Sequence, residues 1–131
     1  MADRPDDIQY TKSHEWIRVE GDTATVGITD FAIEHLGDLV FVDLPDAGQE
    51  IEAGESIAEV ESVKAVGEVY APVTGEVTEV NEDLADDQSS LTQDPYGAGW
   101  LFKVQVTGAL RDGLMDLAAY EQQLESEGVD S

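Results

Sequence analysis

The chain contains no cysteine, which excludes disulfides, thiolate catalysis and zinc–cysteine sites together. Cations are almost as scarce: six Lys and Arg stand against thirty Asp and Glu in 131 residues, a formal net charge of −24. A field of that sign repels phosphate backbones and anionic lipid, so neither nucleic acid nor a membrane surface is an expected partner. No apolar run is long enough to span a bilayer. The opening Met1-Ala-Asp-Arg-Pro-Asp-Asp7 has neither the basic nor the apolar block of a secretory signal. A cytoplasmic protein is the resulting expectation. What is present suffices for one core: hydrophobic residues make up 41%, and the length fits a single domain over residues 1–131. The acids are spread along the whole chain. At molar salt the screening length falls to about 3 Å and most of their mutual repulsion disappears. An even acidic coat with little lysine therefore reads as adaptation to a salt-rich cytoplasm, as in halophiles. A calcium-binding protein is the other reading, but no Asp-x-Asp-x-Asp-Gly loop is present.

Short strands dominate the pattern. Trp16–Glu20 and Thr23–Ile28 flank Gly21-Asp22, a two-residue hairpin turn. Thr29 or Asp30 can cap a short helix through Phe31, Ile33 and Leu36 that ends at Gly37. Leu39–Leu44 is an apolar run closed by Pro45. Trp100, Phe102, Val104 and Val106 alternate with Leu101, Lys103 and Gln105, the period of a half-buried strand. Leu114, Leu117, Ala118 and Leu124 follow Asp112 at helical spacing, which predicts a C-terminal helix over about 112–125, packed on the sheets.

A weak internal echo also runs through the middle. Val42, Pro45, Gly48, Gly54 and Ile57 correspond, 27 residues on, to Val69, Pro72, Gly75, Asn81 and Leu84. Each half would be an apolar strand, a Pro-x-x-Gly turn, a second strand and a tight turn at Gly54 or Asn81, residue types that tolerate positive φ. Two such halves facing each other form a flattened barrel of two small sheets. Lys64 falls at their junction, where such a fold exposes a hairpin tip.

Lys64 is the only lysine between Lys12 and Lys103, in a surface that has nearly discarded lysine. It could be a solvated turn residue. It is a poor Schiff-base nucleophile, because that role needs an apolar pocket or a neighbouring cation to favour the neutral amine. Here Glu59, Glu61 and Glu68 stand nearby in sequence and favour the ammonium. An ordinary lysine amine is neutral in roughly one molecule in a few thousand at pH 7. Such a group suits acylation by an external enzyme that supplies the alignment and removes the proton. His14 and His35 lack a matched carboxylate spacing and make a poor metal site, so no metal is expected.

Glu61-Ser-Val-Lys64-Ala resembles the lipoylation site of the glycine cleavage system H proteins. Tyr10-Thr-Lys-Ser-His-Glu-Trp16, Val26-Gly-Ile-Thr-Asp30, Leu36-Gly-Asp-Leu-Val-Phe-Val-Asp-Leu-Pro45 and Pro95-Tyr-Gly-Ala-Gly-Trp100 resemble that family's other signature blocks, in order and across nearly the whole chain. The resemblance implies a mostly β barrel-sandwich hybrid of the lipoyl- and biotinyl-carrier type. It would have two small facing antiparallel sheets, short helices and a C-terminal helix, with the lipoyl-binding core over about 23–105. It also implies lipoic acid joined covalently to Lys64 by a lipoate ligase or lipoyl transferase. The arm would accept an aminomethyl group from a pyridoxal-phosphate glycine decarboxylase and pass it to a tetrahydrofolate-dependent aminomethyltransferase. A flavin-dependent dihydrolipoyl dehydrogenase would reoxidise it. The chain itself would be a non-catalytic carrier, its reactive sulfur supplied by the cofactor.

The family also shelters the loaded arm in a cleft, and those residues map onto Ser13, Glu15 and Glu68. Carboxylates can hold a cationic aminomethyl group by charge-assisted hydrogen bonds, although solvated polar residues are the common fate in so acidic a chain. There are departures: Gly67 replaces a small hydroxyl-bearing or similar side chain, Glu68 a frequent Asp, and Ser89-Ser-Leu-Thr92 the more usual Pro and Asn. They touch arm docking rather than Lys64. A lipoyl domain of a 2-oxo acid dehydrogenase would more often show Asp-Lys-Ala, and a biotin carrier Met-Lys-Met. An unmodified interaction or lipoyl-relay module is the remaining alternative, and no nucleophile–base pair marks an enzyme.

Overall fold

The computed structural model describes residues 6–110 and 114–126, without the side chains of residues 85, 86, 109 and 110. Among the described residues nine strands and four helices follow in the order β1 (Gln9–Tyr10), β2 (Glu15–Glu20), β3 (Thr23–Ile28), α1 (Asp30–Leu36), β4 (Leu39–Asp43), β5 (Glu50–Ile51), β6 (Ser56–Ser62), β7 (Val66–Tyr70), β8 (Val73–Val80), α2 (Asp83–Asp86), α3 (Ser89–Gln93), β9 (Phe102–Leu110) and α4 (Leu117–Ser126). They form a six-stranded antiparallel sheet, in the order β1-β2-β3-β9-β8-β5, and a three-stranded one, β4-β6-β7. The expected two-sheet, mostly β architecture with short helices and a C-terminal helix is what the chain adopts.

Alternation along each strand sends one set of side chains inward. Ile17, Ala24, Val26, Val77, Phe102 and Val104 of the large sheet meet Val42, Ala58, Val60 and Val69 of the small one in one buried cluster. A second cluster is aromatic: Tyr10, Trp16, Tyr96 and Tyr120 with Ile8 and Leu124. Tyr10 and Tyr120 stack with ring centroids 4.7 Å apart, which fastens α4 to β1. The Trp16 ring lies over Gly27, its cross-strand partner, where an added Cβ would come within 2.5 Å of it. Its indole N–H donates to the Pro95 carbonyl at 3.1 Å. Tyr96 O–H donates to Asp30 Oδ1 at 2.6 Å. Burial first, and then this bond to Asp30, push the phenol far above its ordinary pKa, so it remains a donor at any physiological pH.

The repeat is real in outline and imperfect in detail. β4 and β7 flank β6 in the small sheet, and β5 and β8 are neighbours in the large one, so each half contributes one strand to each sheet before it turns. The expected turns at Gly48 and Gly54 have φ of 93° and 91°. Gly75 is not a turn residue. It lies inside β8, where an added Cβ would come within 2.1 Å of the Gln105 carbonyl oxygen, so close strand approach demands the glycine. Asn81 does not take positive φ either, since His14 is the one non-glycine residue that does so among the described residues. Its side-chain amide instead donates to the carbonyls of Ala98 and Trp100 at 2.9 and 2.8 Å, tying the loop before β9.

The C-terminal helix starts later than its periodicity suggests. Asp112 lies outside the described residues. Met115 is extended, its N–H and C=O both paired with Tyr10 at 2.8 Å, and a backbone so engaged cannot yet be helical. Asp116 then accepts from Ala119 N–H at 2.9 Å and starts the helix at Leu117. In β9, Phe102 and Val104 point inward as expected. Leu101 is buried as well, its N–H already bound to the Val26 carbonyl before the strand proper begins.

Candidate functional site

Lys64 sits at the tip of the β6–β7 hairpin, exposed to solvent. The turn is closed from within. Ser62 N–H donates to the Ala65 carbonyl at 2.8 Å, Ser62 Oγ donates to the same carbonyl at 3.0 Å, and Ala65 N–H donates back to Ser62 Oγ at 3.0 Å. A serine two residues before the lysine therefore does the work of a turn cap, which explains its burial at the end of an otherwise exposed tip. The tip is also pinned from outside, because Val63 N–H donates to the Asp38 carbonyl at 3.0 Å.

The ground under Lys64 comes from α1. Thr29 caps that helix by accepting from Ala32 N–H, and Gly37 ends it at φ 85°, a conformation that favours glycine. A Cβ built on Gly37 would lie 3.6 Å from Lys64 Cε, so the lysine stem runs across the end of the helix. Leu36, one residue earlier, covers Gly67 of β7, where an added Cβ would press on its methyls at 3.3 Å. The departure at position 67 thus makes room for Leu36. Beyond Gly37 a groove of about 500 Å³ continues between α1 and the α3 end, lined by Asp30, Ile33, Glu34, Gly37, Thr92, Gln93 and Pro95. Among the described residues the Lys64 ammonium makes no ion pair. The other lysine and arginine side chains of the sheets are engaged: Lys103 pairs with Glu79 at 3.7 Å, and Arg18 lies over the Trp16 ring.

Ser13 and Glu15 are brought together, and more tightly than their residue types alone suggest. Glu15 is fully buried at the start of β2. Its Oε1 accepts from the hydroxyls of Thr11 and Ser13, the latter at 2.6 Å, and its Oε2 accepts from Tyr70 N–H at 3.0 Å. Thr11 Oγ1 in turn accepts from Glu15 N–H at 3.0 Å. Both carboxylate oxygens thus have fixed donors in place of the water lost on burial. Glu68 lies two residues before Tyr70 on the same edge strand, but its carboxylate accepts from Ser56 Oγ at 2.7 Å and faces solvent. The three residues thus divide into a coupled pair, Ser13 and Glu15, and a neighbour whose hydrogen bond goes elsewhere.

Several participants escaped sequence reasoning. Thr11 could have been found, since a hydroxyl four residues before a Glu across a turn is a local hydrogen-bonding signal. Tyr70 N–H could not, being 55 residues away. Nor could the brace from α4. His14 takes φ 73° between Ser13 and Glu15, and its Nδ1 lies 2.8 Å from Tyr120 Oη, which is also 2.8 Å from Thr29 Oγ1. Gln123 Nε2 donates to the Lys12 carbonyl at 3.0 Å, so the C-terminal helix holds the 11–15 loop at two points. Among the described residues no cluster of three or more His, Asp or Glu could hold a metal ion, and no helix is long and apolar enough to cross a membrane.

Residues 8–127 match the family described as glycine cleavage H-protein. The chain is 52% identical over 130 residues to the glycine cleavage system H protein of Halorhodospira halophila, covering 98% of this chain and 100% of that one. It is 54% identical over 124 residues to the probable glycine cleavage system H protein of Haloarcula marismortui, covering 94% and 98%. The crystal structure of a glycine cleavage system H protein from Mycobacterium marinum is similar with a TM-score of 0.85 at 44% identity, covering 96% of this chain and all of that one. Matches of this length and identity leave one assignment: the chain belongs to the glycine cleavage H-protein family.

Proposed function

We propose that Lys64 is the lipoyl attachment residue and that the chain works as the lipoyl-lysine carrier of the glycine cleavage system. It would move the aminomethyl carbon of glycine from a pyridoxal-phosphate decarboxylase to a tetrahydrofolate-dependent aminomethyltransferase. The observation that carries the attachment is the hairpin tip: an exposed ammonium on a short, doubly pinned turn, its stem lying over Gly37. A flexible loop would present the amine in many poses. A turn locked by Ser62 and Asp38 presents it in few, which lowers the entropic cost of acylation by an external enzyme.

The bound lipoyl group supplies the sulfur that accepts the carbon. The chain's own contribution is to hold and to shelter. Ser13 and Glu15 form a preset acceptor site at the edge of β7. The partly exposed Ser13 hydroxyl is the reachable member of the pair, and Glu15, held beneath it by hydrogen bonds from Thr11, Ser13 and Tyr70, would draw the cationic amine of the loaded arm toward it. Glu68, exposed on the same strand, adds negative charge at the approach. Dihydrolipoyl dehydrogenase would reoxidise the arm, and the chain itself performs no catalysis. The carrier is one domain, with the lipoyl-binding core over about 23–105.

The test is reconstituted glycine–bicarbonate exchange with the lipoylated chain and a glycine decarboxylase. Activity is expected with the wild type and absent with Lys64→Arg, which keeps the charge and cannot be acylated. Exchange that survives in Lys64→Arg would place the arm elsewhere.

A further inference from the structure

Large apolar side chains are rarely displayed on this acidic surface. Among the described residues five are exposed, and four of them surround the tip that bears Lys64: Val40 at 51%, Phe41 at 48%, Val63 at 75% and Val66 at 54%. The fifth, Val19, lies on β2 of the other sheet. Strand register explains the grouping. Phe41 is opposite Glu61 and Glu61 opposite Val66, so the three share the outer face of the small sheet, in the row nearest the tip. Val40 is the extra residue where the β4–β6 register shifts, and Val63 precedes Lys64 in the turn. On the same face, one step further from the tip, the row reads Asp43, Glu59, Glu68.

A single exposed valine is ordinary, whereas four apolar residues gathered at one end of one sheet mark a surface kept for contact. The core does not require them, because the alternate row Val42, Val60, Gly67 already faces inward. The position identifies the occupant. Once an arm is attached, an enzyme acting on its far end stands off by the combined length of the lysine and lipoyl chains. The enzyme that forms the amide has no such reach and must bring an acyl carbonyl to Lys64 Nζ itself. Its footprint cannot avoid Val63 and Val66. Charge points the same way: Glu61 in the middle of the apolar row, with the acidic row behind it, suits a partner with an apolar contact surface and a cation facing Glu61.

We propose that Val40, Phe41, Val63 and Val66 form the docking surface for the acyltransferase that lipoylates Lys64, a reading that rests on Lys64 being the attachment residue. In the step served, the ammonium gives up a proton and the amine attacks the carbonyl of an acyl-adenylate made from lipoate and ATP. The C–N bond forms, the acyl–phosphate bond breaks and AMP leaves. The second nitrogen proton then passes to the enzyme's base.

The experiment follows lipoylation by intact mass, with a purified ATP-dependent lipoate–protein ligase, lipoate and ATP, over a range of carrier concentrations. Phe41→Thr/Val66→Thr puts a strand-favouring, β-branched residue at both positions. It is expected to lower kcat/KM about tenfold, mainly through KM, while Val19→Thr matches the wild type and Lys64→Arg gains no mass. A double variant within twofold of wild type overturns the docking surface. Wild type that takes no label at Lys64 overturns the attachment reading instead. Should the double variant melt below the assay temperature, Val63→Thr in the turn replaces it. A loss of about threefold is then expected, and an unchanged kcat/KM contradicts the proposal.

Discussion

The two regions expected to handle the arm are built in opposite ways. Lys64 stands exposed on a turn held by the Ser62–Ala65 hydrogen bonds and one bond to the Asp38 carbonyl, and it makes no ion pair among the described residues. Glu15 is sealed from solvent, its two carboxylate oxygens taking hydrogen bonds from Thr11, Ser13 and Tyr70, with Tyr120 bracing the adjacent His14 from α4. The contrast fits the two tasks proposed for these regions. A residue that must enter another enzyme's active site has to protrude, and its own fold can lend it little. A site that receives a labile group has to be organised before the group arrives, so its polar atoms are fixed from several elements at once.

Mutations should separate the two regions. The largest expected effect on stability is at Glu15. Glu15→Ala strands Tyr70 N–H and two hydroxyls in a buried site and should cost about 2–4 kcal/mol in urea unfolding. Lys64→Ala at the exposed tip should change stability by less than about 0.5 kcal/mol. Equal costs would mean that the tip is structural after all. Next comes the brace. Tyr120→Phe removes the hydroxyl between His14 and Thr29 and is expected to cost about 1 kcal/mol. It should also quicken spontaneous loss of the aminomethyl group from the loaded carrier, with lipoylation of Lys64 left at the wild-type rate. Slower lipoylation in that variant would show that the two regions are not independent. The smallest effect concerns the acidic row Asp43, Glu59, Glu68, like charges opposite one another across three strands. Glu59→Gln should stabilise the protein by about 0.5 kcal/mol in dilute buffer, with the gain vanishing at molar salt, as thermal melts at the two ionic strengths would show. A gain that persists at molar salt would remove the electrostatic explanation and, with it, support for salt adaptation of this face.

Local features were legible in the sequence and long-range ones were not. The β2–β3 hairpin, the helix start at Thr29 or Asp30 and the Gly37 stop each depend on a few consecutive residues whose conformational preferences agree, whereas the tip at Lys64 was placed by the internal repeat. Glu15 shows the opposite case. As a residue type in a heavily acidic chain it fits a solvated side chain as readily as a docking group, and its burial depends on the approach of β7, whose Tyr70 N–H donates to its carboxylate. Gly75 and Asn81 fitted the repeat by residue type, yet each is needed for a contact with a distant segment, the β9 backbone in one case and the Ala98–Trp100 loop in the other. The apolar row beside Lys64 was equally hidden, since Phe41 and Val66 become neighbours only through the register of three strands. Helical spacing near the C-terminus was read correctly as a helix, but Met115's pairing with Tyr10 set its start.

The central claim, that the hairpin tip exists to carry an acyl arm, is tested most directly by the mass of the tip itself. Protein taken from its native cells during growth on glycine, digested and mapped by mass spectrometry, should show the peptide spanning Lys64 carrying a lipoyl group and every other lysine peptide unmodified. A Lys64 peptide found wholly unmodified under those conditions would contradict the account.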